Sequence, residues 1–540
     1  MSATLLAAPL FAREPAELDG LLAAAVRASE HGASLIEWRI DALRPVTDDI
    51  EFMKQLVART RQPSILTCRP ISQGGLFDGM ESERLALFAA ALSTELPPRF
   101  VDIELDAWLN DARWREMLHD HDNGPSLILS AHDFETRPHD LLQQIEQMVN
   151  EPRCRIIKLA WMARSVRDNV EALELIRERA KPMIAICMGE FGLMSRVLAP
   201  KAGGFLTFAA ADRDSESAPG QPTLNEIMQK YRFDSIDAET PVYGVIGWPV
   251  SHSLGPLIHN AAFERAGLAG VYLPLPVPVE YEHLKATLSV LIDDPHLNFR
   301  GASVTIPHKE NVLRFVRERG GRVDRHAELA EAANTLLISS SGGSIVCRNT
   351  DVPAIVDSTC DALNIDPIDL SNVHVAVLGA GGVARAAIAG LGMYGSRIAV
   401  VNRSASRATR LVERMRARAV ELQLPGILDI RTAGKSALQD EMFDLIINCT
   451  PIGMRSGPEP EASALDVLSG GKYRLTDAMT VFDTVYTPSR TPLVEEAELR
   501  GARVILGIEL FLRQAALQFE SWSGERAPED LWHDLLRPRG

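Results

Sequence analysis

Over the first 212 residues, short apolar runs rich in β-branched side chains return at intervals of roughly 22 to 35 residues: 4–8, 35–40, 64–67, 100–105, 127–129, 155–160, 183–187 and 205–210. Each is too short for a helix and apolar enough to be buried on both faces, as strands of a parallel sheet are. Segments with apolar positions at helical spacing lie between them, as at 16–30, 81–93, 141–149 and 166–179. This alternation predicts an α/β chain opening with a (β/α)8 barrel.

Residues 213–240 turn polar around Ala218-Pro219-Gly220-Gln221-Pro222 and then become helix-patterned at 224–231, which reads as a rim loop, a last helix and a linker. A second set of β and α segments begins at Val242, and a further unit opens at Val373, so two more lobes are expected. The helical pattern at 509–522 lies beyond that unit and is expected to pack back on the earlier lobe. A chain of 540 residues agrees with this division, at roughly 150 residues per domain.

Composition narrows the class. With 46% hydrophobic and 24% charged residues, the chain has the balance of a soluble globular protein, and no apolar run reaches the roughly 18 residues that suggest a membrane span. The six cysteines are scattered without C-x-x-C spacing, which favours buried reduced thiols; no metal site is expected. Residues 1–12 are apolar but lack a basic segment and a cleavage site, so the chain reads as cytoplasmic. A net charge of −16 argues against nucleic acid as a partner, and any site for an anionic metabolite must supply its own arginines. No oligomeric state is implied.

Candidate chemistry falls into two groups. In the later one, the apolar run 373–378 leads into Gly379-Ala380-Gly381-Gly382-Val383-Ala384, a spacing that lets backbone approach a pyrophosphate at a helix N-terminus. At the end of the next strand, where an NAD enzyme places a carboxylate for the ribose, stand Asn402, Arg403, Ser404 and Arg407. Cations there favour a 2′-phosphate, and the expected cofactor is NADP.

In the barrel, polar residues at strand ends mark the mouth: Glu37, Arg39, Arg69, Asp102, Glu104, His132, Lys158, Ser195 and Arg196. Lys158 interrupts the apolar run 155–160, where burial is expected to leave a neutral amine able to form a Schiff base with a ketone. His132 is the natural proton carrier beside it.

Together with Glu37-Trp38-Arg39-Ile40-Asp41, Thr67-Cys68-Arg69, Asp102-Ile103-Glu104, Ser130-Ala131-His132-Asp133, Ser195-Arg196 and Ser217-Ala218-Pro219-Gly220-Gln221, this half resembles the type I 3-dehydroquinate dehydratases over 1–235. The resemblance implies that Lys158 forms an imine with the C3 ketone of 3-dehydroquinate and that His132 moves the C2 proton to the departing C1 hydroxyl. Arg196 would clamp the carboxylate, Glu37, Arg39 and Arg69 would hold ring hydroxyls, and Ser217 and Gln221 would come from a closing loop. The family usually has Glu where Gln73 stands, and Gln73 can orient His132 but cannot charge it. A changed pH dependence is expected.

The remainder offers Ser253, Thr305, Lys309, Asn334 and Asp351, then Asn448-Cys449-Thr450-Pro451-Ile452-Gly453-Met454, Asp483-Thr484-Val485-Tyr486 and Gly507 through Gln514. With the dinucleotide turn, these resemble the shikimate dehydrogenases. That implies a substrate-binding lobe over 241–352 completed by 508–525, and a Rossmann-like NADP lobe over 353–507. Lys309 and Asp351 would be the catalytic pair, while Ser253, Thr305, Asn334, Tyr486 and Gln514 hold substrate. Thr450, Met454, Val485 and Gly507 would join the glycine turn in binding NADP.

Three positions depart from that family. Gly255 stands where a second serine is usual, which is expected to give room for the extra hydroxyl of quinate. Val352 replaces a frequent glycine, and Leu510 and Phe511 replace a usual methionine. The order of the halves resembles the bifunctional enzymes of plants and some bacteria, implying conversion of 3-dehydroquinate through 3-dehydroshikimate to shikimate. A dehydratase fused to a quinate dehydrogenase is the alternative. A quinate-sensing regulator without turnover is a more distant one, disfavoured because Lys158, His132, Lys309 and Asp351 are all present.

Overall fold

The computed structural model describes residues 3–119, 124–339 and 344–537. Its first eight strands are β1 (Leu5–Phe11), β2 (Leu35–Arg39), β3 (Ser64–Thr67), β4 (Phe100–Glu104), β5 (Ser126–Asp133), β6 (Cys154–Met162), β7 (Met183–Met188) and β8 (Leu206–Phe208). They pair in parallel in the order β7-β6-β5-β4-β3-β2-β1-β8. Phe205 N–H donates to Met183 O beside β7, which nearly closes the ring of the expected barrel. Strands β2, β4 and β7 are buried along their whole length, the condition that favours mainly apolar runs.

Register places the polar interruptions of those runs. Glu104 is opposite Ser130, Ser130 opposite Lys158, and Lys158 opposite Ile184, so three polar side chains stand at one level across β4, β5 and β6. A register shift at Leu127/Ile128 skips Arg155, which is exposed on β6 while Ile156, Ile157 and Lys158 are buried.

Packing divides the chain into two compact units that do not follow a single break at 241. The first comprises 1–243, 249–277 and 286–299; the second comprises 244–248, 278–285 and 300–540. Polar bolts hold the first together. Lys201 Nζ donates to Ala238 O and Thr240 O, Arg177 pairs with Asp294 at 3.1 Å, and Arg232 donates to Leu268 O and Gly270 O. The segment expected to be helical at 224–231 is a short π-helical turn over Glu226–Lys230.

The chain continues through β9 (Val242–Gly247), β10 (Val271–Pro276), β11 (Phe299–Val304), β12 (Arg322–Val323), β13 (Thr335–Ile338) and β14 (Ile345–Arg348). Of these, β11 pairs antiparallel with β13, β13 antiparallel with β14, and β12 parallel with β14. The last long helix, Gly507–Ser523, packs back on β13, in the earlier lobe, as its position in the sequence predicts. Gln518 Nε2 donates to Asn334 O and Thr335 Oγ1, and Trp522 Nε1 donates to Leu336 O.

Six further strands, β15 (His374–Leu378), β16 (Arg397–Val401), β17 (Ile430–Ala433), β18 (Leu445–Asn448), β19 (Thr480–Asp483) and β20 (Arg503–Ile505), form a parallel sheet in the order β17-β16-β15-β18-β19-β20. The order reverses between β15 and β18, the crevice where doubly wound sheets bind dinucleotides. No helix among the described residues is long and apolar enough to cross a membrane. All six cysteines are free, and all but the half-buried Cys449 are buried.

Candidate active sites

At the C-terminal ends of the barrel strands lies a cavity open to solvent. Glu37, Arg39, Arg69, Gln73, His132, Lys158, Arg196 and Ser217 line it, with Phe134, Ile186, Met188 and Phe208 supplying apolar wall. Seven of the eight residues expected to act in this half therefore share one cavity. Gln221 does not line it; its carboxamide oxygen accepts from the Ser217 N–H at 2.8 Å and the Ser217 hydroxyl at 3.0 Å.

The sequence reading of Lys158 needs correction. Its flanking residues are apolar, but its ammonium is ion-paired rather than stranded: Nζ donates to Asp102 Oδ2 at 2.7 Å and lies 3.7 Å from Glu37 Oε1. Phe208 presents its ring face 4.4 Å away. A strand's sequence shows its own neighbours and not the groups that face it across a barrel, so this pairing could not be read from residues 155–160.

Asp102 is the group whose place among these charges the residues alone did not reveal. Its carboxylate accepts from Ser130 Oγ at 2.6 Å and pairs with Arg69 at 2.8 Å as well as with Lys158. Burial would raise its pKa, but Arg69 and Lys158 outweigh burial and hold it well below the usual carboxylate range. Arg69 also pairs with Glu104 at 2.6 Å, and these acids keep it charged against the cost of burial. The alternation Asp102-x-Glu104, two acids on one face of an otherwise apolar strand, was the available signal.

Burial, reinforced by the charges of Arg69 and Lys158, pushes the His132 imidazole well below its ordinary pKa, while Asp102 pulls weakly the other way. Gln73 Oε1 accepts the His132 backbone N–H at 3.0 Å and lies 3.2 Å from Nδ1. It orients the ring without adding charge.

Arg196 is the unsatisfied group of this cavity. Its side chain is 2% exposed, it forms no ion pair among the described residues, and its Nε has no hydrogen-bond partner. Burial lowers its pKa to about 10, which leaves it cationic at neutral pH. A buried unpaired cation typically costs several kcal/mol, and a carboxylate entering the cavity would offset that cost.

In the second unit, Lys309 Nζ donates to Asp351 Oδ2 at 2.6 Å. Lys309 begins the helix Lys309–Glu318 and Asp351 begins the helix Asp351–Leu363. Asn334 Nδ2 donates to Gln514 Oε1 at 3.2 Å and Thr350 Oγ1 at 3.0 Å. Tyr486 stacks on Phe511 with centroids 5.1 Å apart, and Thr305, half-buried, donates its N–H to Ile246 O. Val352 and Leu510 are buried in the core of this unit.

The glycine turn has the shape a dinucleotide requires. Gly379 has φ +115°, and a Cβ there would meet Cys449 O at 2.9 Å, whereas a Cβ on Gly381 would enter open space. Ala380 follows Gly379, and the helix Gly382–Met393 carries Gly382 and Val383 in its first turn. A Cβ on Gly382 would touch Lys309 Cδ at 3.4 Å, so Lys309 lies against the turn. Asn402 Nδ2 donates to Ser404 O, Ser404 directly precedes the next helix without a capping bond from its side chain, and Arg407 is exposed on that helix. Arg403, expected to face a phosphate, pairs with Glu459 at 2.6 Å at the surface.

Ser253 and Gly255 belong to the first unit. Ser253 Oγ accepts the Gly255 N–H at 3.2 Å. A Cβ at Gly255 would meet the Tyr272 ring at 3.1 Å and its hydroxyl at 3.3 Å. The aromatic ring stands beside the position where a second serine is usual.

Comparison with known proteins agrees with both halves. Residues 14–238 match the family model described as type I 3-dehydroquinase, and residues 245–336 match that of the shikimate dehydrogenase substrate binding domain. The chain is 38% identical over 310 residues to a shikimate dehydrogenase (NADP(+)) of Methanopyrus kandleri, covering 56% of this chain and 97% of that one. The solved dehydroquinate dehydratase and shikimate dehydrogenase from S. pombe AroM aligns over 99% of this chain and 98% of its own, with 26% identity and a TM-score of 0.42. Over 544 residues, 99% of this chain and 84% of the relative, it is 33% identical to the chloroplastic bifunctional 3-dehydroquinate dehydratase/shikimate dehydrogenase of Arabidopsis thaliana. The chain therefore belongs to the bifunctional 3-dehydroquinate dehydratase/shikimate dehydrogenase family.

Proposed function

We propose that the chain dehydrates 3-dehydroquinate in the barrel and reduces the resulting 3-dehydroshikimate to shikimate with NADPH in its second half. The observation that carries this reading is the unpaired, buried Arg196 sharing one cavity with Lys158 and His132: an anion clamp, an amine and a proton carrier within reach of one small ketoacid. The working division is 1–235 for dehydration, 241–352 with 508–525 for substrate of the reductase, and 353–507 for NADP.

In the barrel, Arg196 takes the substrate carboxylate, while Glu37, Arg39 and Arg69 meet ring hydroxyls. Lys158 passes a proton to a neighbouring group and adds to the C3 ketone; loss of water leaves an iminium. Asp102, 2.7 Å from Nζ, stabilises that cation as it did the ammonium. His132, kept neutral by its surroundings, takes the C2 proton and returns it to the C1 hydroxyl, which leaves as water. Hydrolysis of the iminium restores Lys158, and Ser217 and Gln221 close the loop over the site.

The second half fits a dinucleotide through the open approach at Gly381, and Gly379, Ala380, Gly382, Val383, Thr450, Met454, Val485 and Gly507 would hold it, with Asn402, Arg403, Ser404 and Arg407 around the 2′-phosphate. When bound, NADPH supplies the hydride for the ketone. Lys309 gives a proton to the carbonyl oxygen as charge develops there, and Asp351 keeps the ammonium aimed. Thr305, Asn334, Tyr486 and Gln514 orient the ring. Free cysteines and a charge of −16 support a cytoplasmic enzyme acting on small anions rather than on nucleic acid or membranes.

NADPH absorbance tests the coupled reading. Addition of 3-dehydroquinate should consume NADPH, Lys158→Ala should stop this, and 3-dehydroshikimate should restore it in that variant. A wild-type chain that consumes no NADPH with either compound would overturn the proposal.

Gln73→Glu places a carboxylate beside His132 Nδ1, favouring the imidazolium. Since the base must be neutral, the acid limb of dehydratase kcat/KM should move to higher pH by about 1–3 units. An unmoved pH profile would show that the residue at 73 does not tune the histidine.

A further inference from the structure

Asp483, the last residue of β19, is fully buried, and no cation pairs with it among the described residues. Its carboxylate is held by neutral donors alone: Asn448 Nδ2 at 2.9 Å, the Val485 N–H at 3.0 Å and Thr491 Oγ1 at 2.5 Å. Such a group is costly to bury and is retained where its hydrogen bonds do specific work. Burial accordingly raises its pKa.

Its partners lead to the places where the dinucleotide is expected. Asn448 Oδ1 accepts both the Thr450 N–H at 3.0 Å and the Thr450 hydroxyl at 2.7 Å, fixing the start of the 449–454 loop. Thr484 Oγ1 donates to Asn448 O at 2.7 Å and ties the 484–486 loop to the same residue. Gly379 approaches Cys449 O, Gly453 approaches Thr491, and Gly507 approaches Val485 O so closely that a Cβ would lie 2.3 Å from it. Thr450, Val485 and Gly507 thus rest, directly or through one residue, on a single carboxylate, and Gly379 lies against Cys449, the neighbour of Asn448.

Building on the NADP reading above, we infer that Asp483 is the positioning residue of the cofactor site, setting the separation of the 449–454 and 484–486 loops through Asn448 and the Val485 N–H. It touches neither cofactor nor substrate. An amide at 483 keeps the volume but can accept through one atom only, so at least one donor loses its partner.

The test uses the full chain. In Asp483→Asn the Kd for NADPH, read by nucleotide fluorescence, should rise at least about tenfold, as loss of a buried hydrogen bond to a charged acceptor predicts. The KM for 3-dehydroshikimate should rise less than the Kd for NADPH, because of the substrate-orienting residues only Tyr486 lies in a loop that Asp483 holds. Dehydratase activity of the same chain should be unchanged and reports folding of the barrel. Thr491→Val removes one donor and should weaken NADPH binding about threefold in the same direction, and it decides the matter if the Asp483 variant does not fold. Wild-type protein that fails to bind NADPH would overturn the cofactor reading. Wild type that binds, alongside variants that bind equally well and lose only thermal stability, would overturn the positioning role alone.

Discussion

Borohydride added to the enzyme with 3-dehydroquinate is expected to leave a permanent mass increment on Lys158, and Lys158→Ala should abolish that increment and slow dehydration by at least about 10⁴-fold. The size follows from what is lost. Without an imine, the C2 proton must leave against a plain ketone, and His132 and Arg196 can only position substrate. The geometry also predicts how neighbours divide the work. Asp102→Asn removes the carboxylate 2.7 Å from Nζ, so the imine should form less completely and trap less adduct, while Lys158 itself remains available. An adduct absent from the wild-type peptide containing Lys158 would remove the dehydratase mechanism.

Lys309→Met and Asp351→Asn should each reduce the rate of 3-dehydroshikimate reduction by about 10²–10⁴-fold, the range for loss of a positioned proton donor. Dehydration should be untouched, since neither residue belongs to the barrel cavity. The two groups act as one unit at 2.6 Å, so the double variant should be little worse than the poorer single one. Additive losses would show that Lys309 and Asp351 act independently, and a small change in kcat with a large rise in KM would make Lys309 a binding group only.

Much of the fold was legible because buried parallel strands announce themselves. All eight predicted barrel runs fall on observed strands, and the edges differ where side chains at the mouth turn polar, as at Ser130 to Asp133 on β5. The break at 241 was less informative about packing, because Arg177 and Arg232 bolt together segments on both sides of it. The candidate sites were legible as residue types at strand ends. Their pairings were not: Lys158 with Asp102, Arg403 with Glu459, and Tyr272 over Gly255 each join positions far apart in the chain.

What the sequence determined by itself was local and periodic: which runs become strands, where glycine lets backbone approach a ligand, and which side chains sit at strand ends. These depend on each residue and its near neighbours, and an apolar period or a Gly-x-Gly spacing carries them intact. Only the tertiary structure decided the electrostatic state of those side chains. Charge interactions and steric occupancy depend on distance in space, so Lys158 acquired a counter-ion, Arg196 was left without one, and a ring from β10 came to stand beside Gly255.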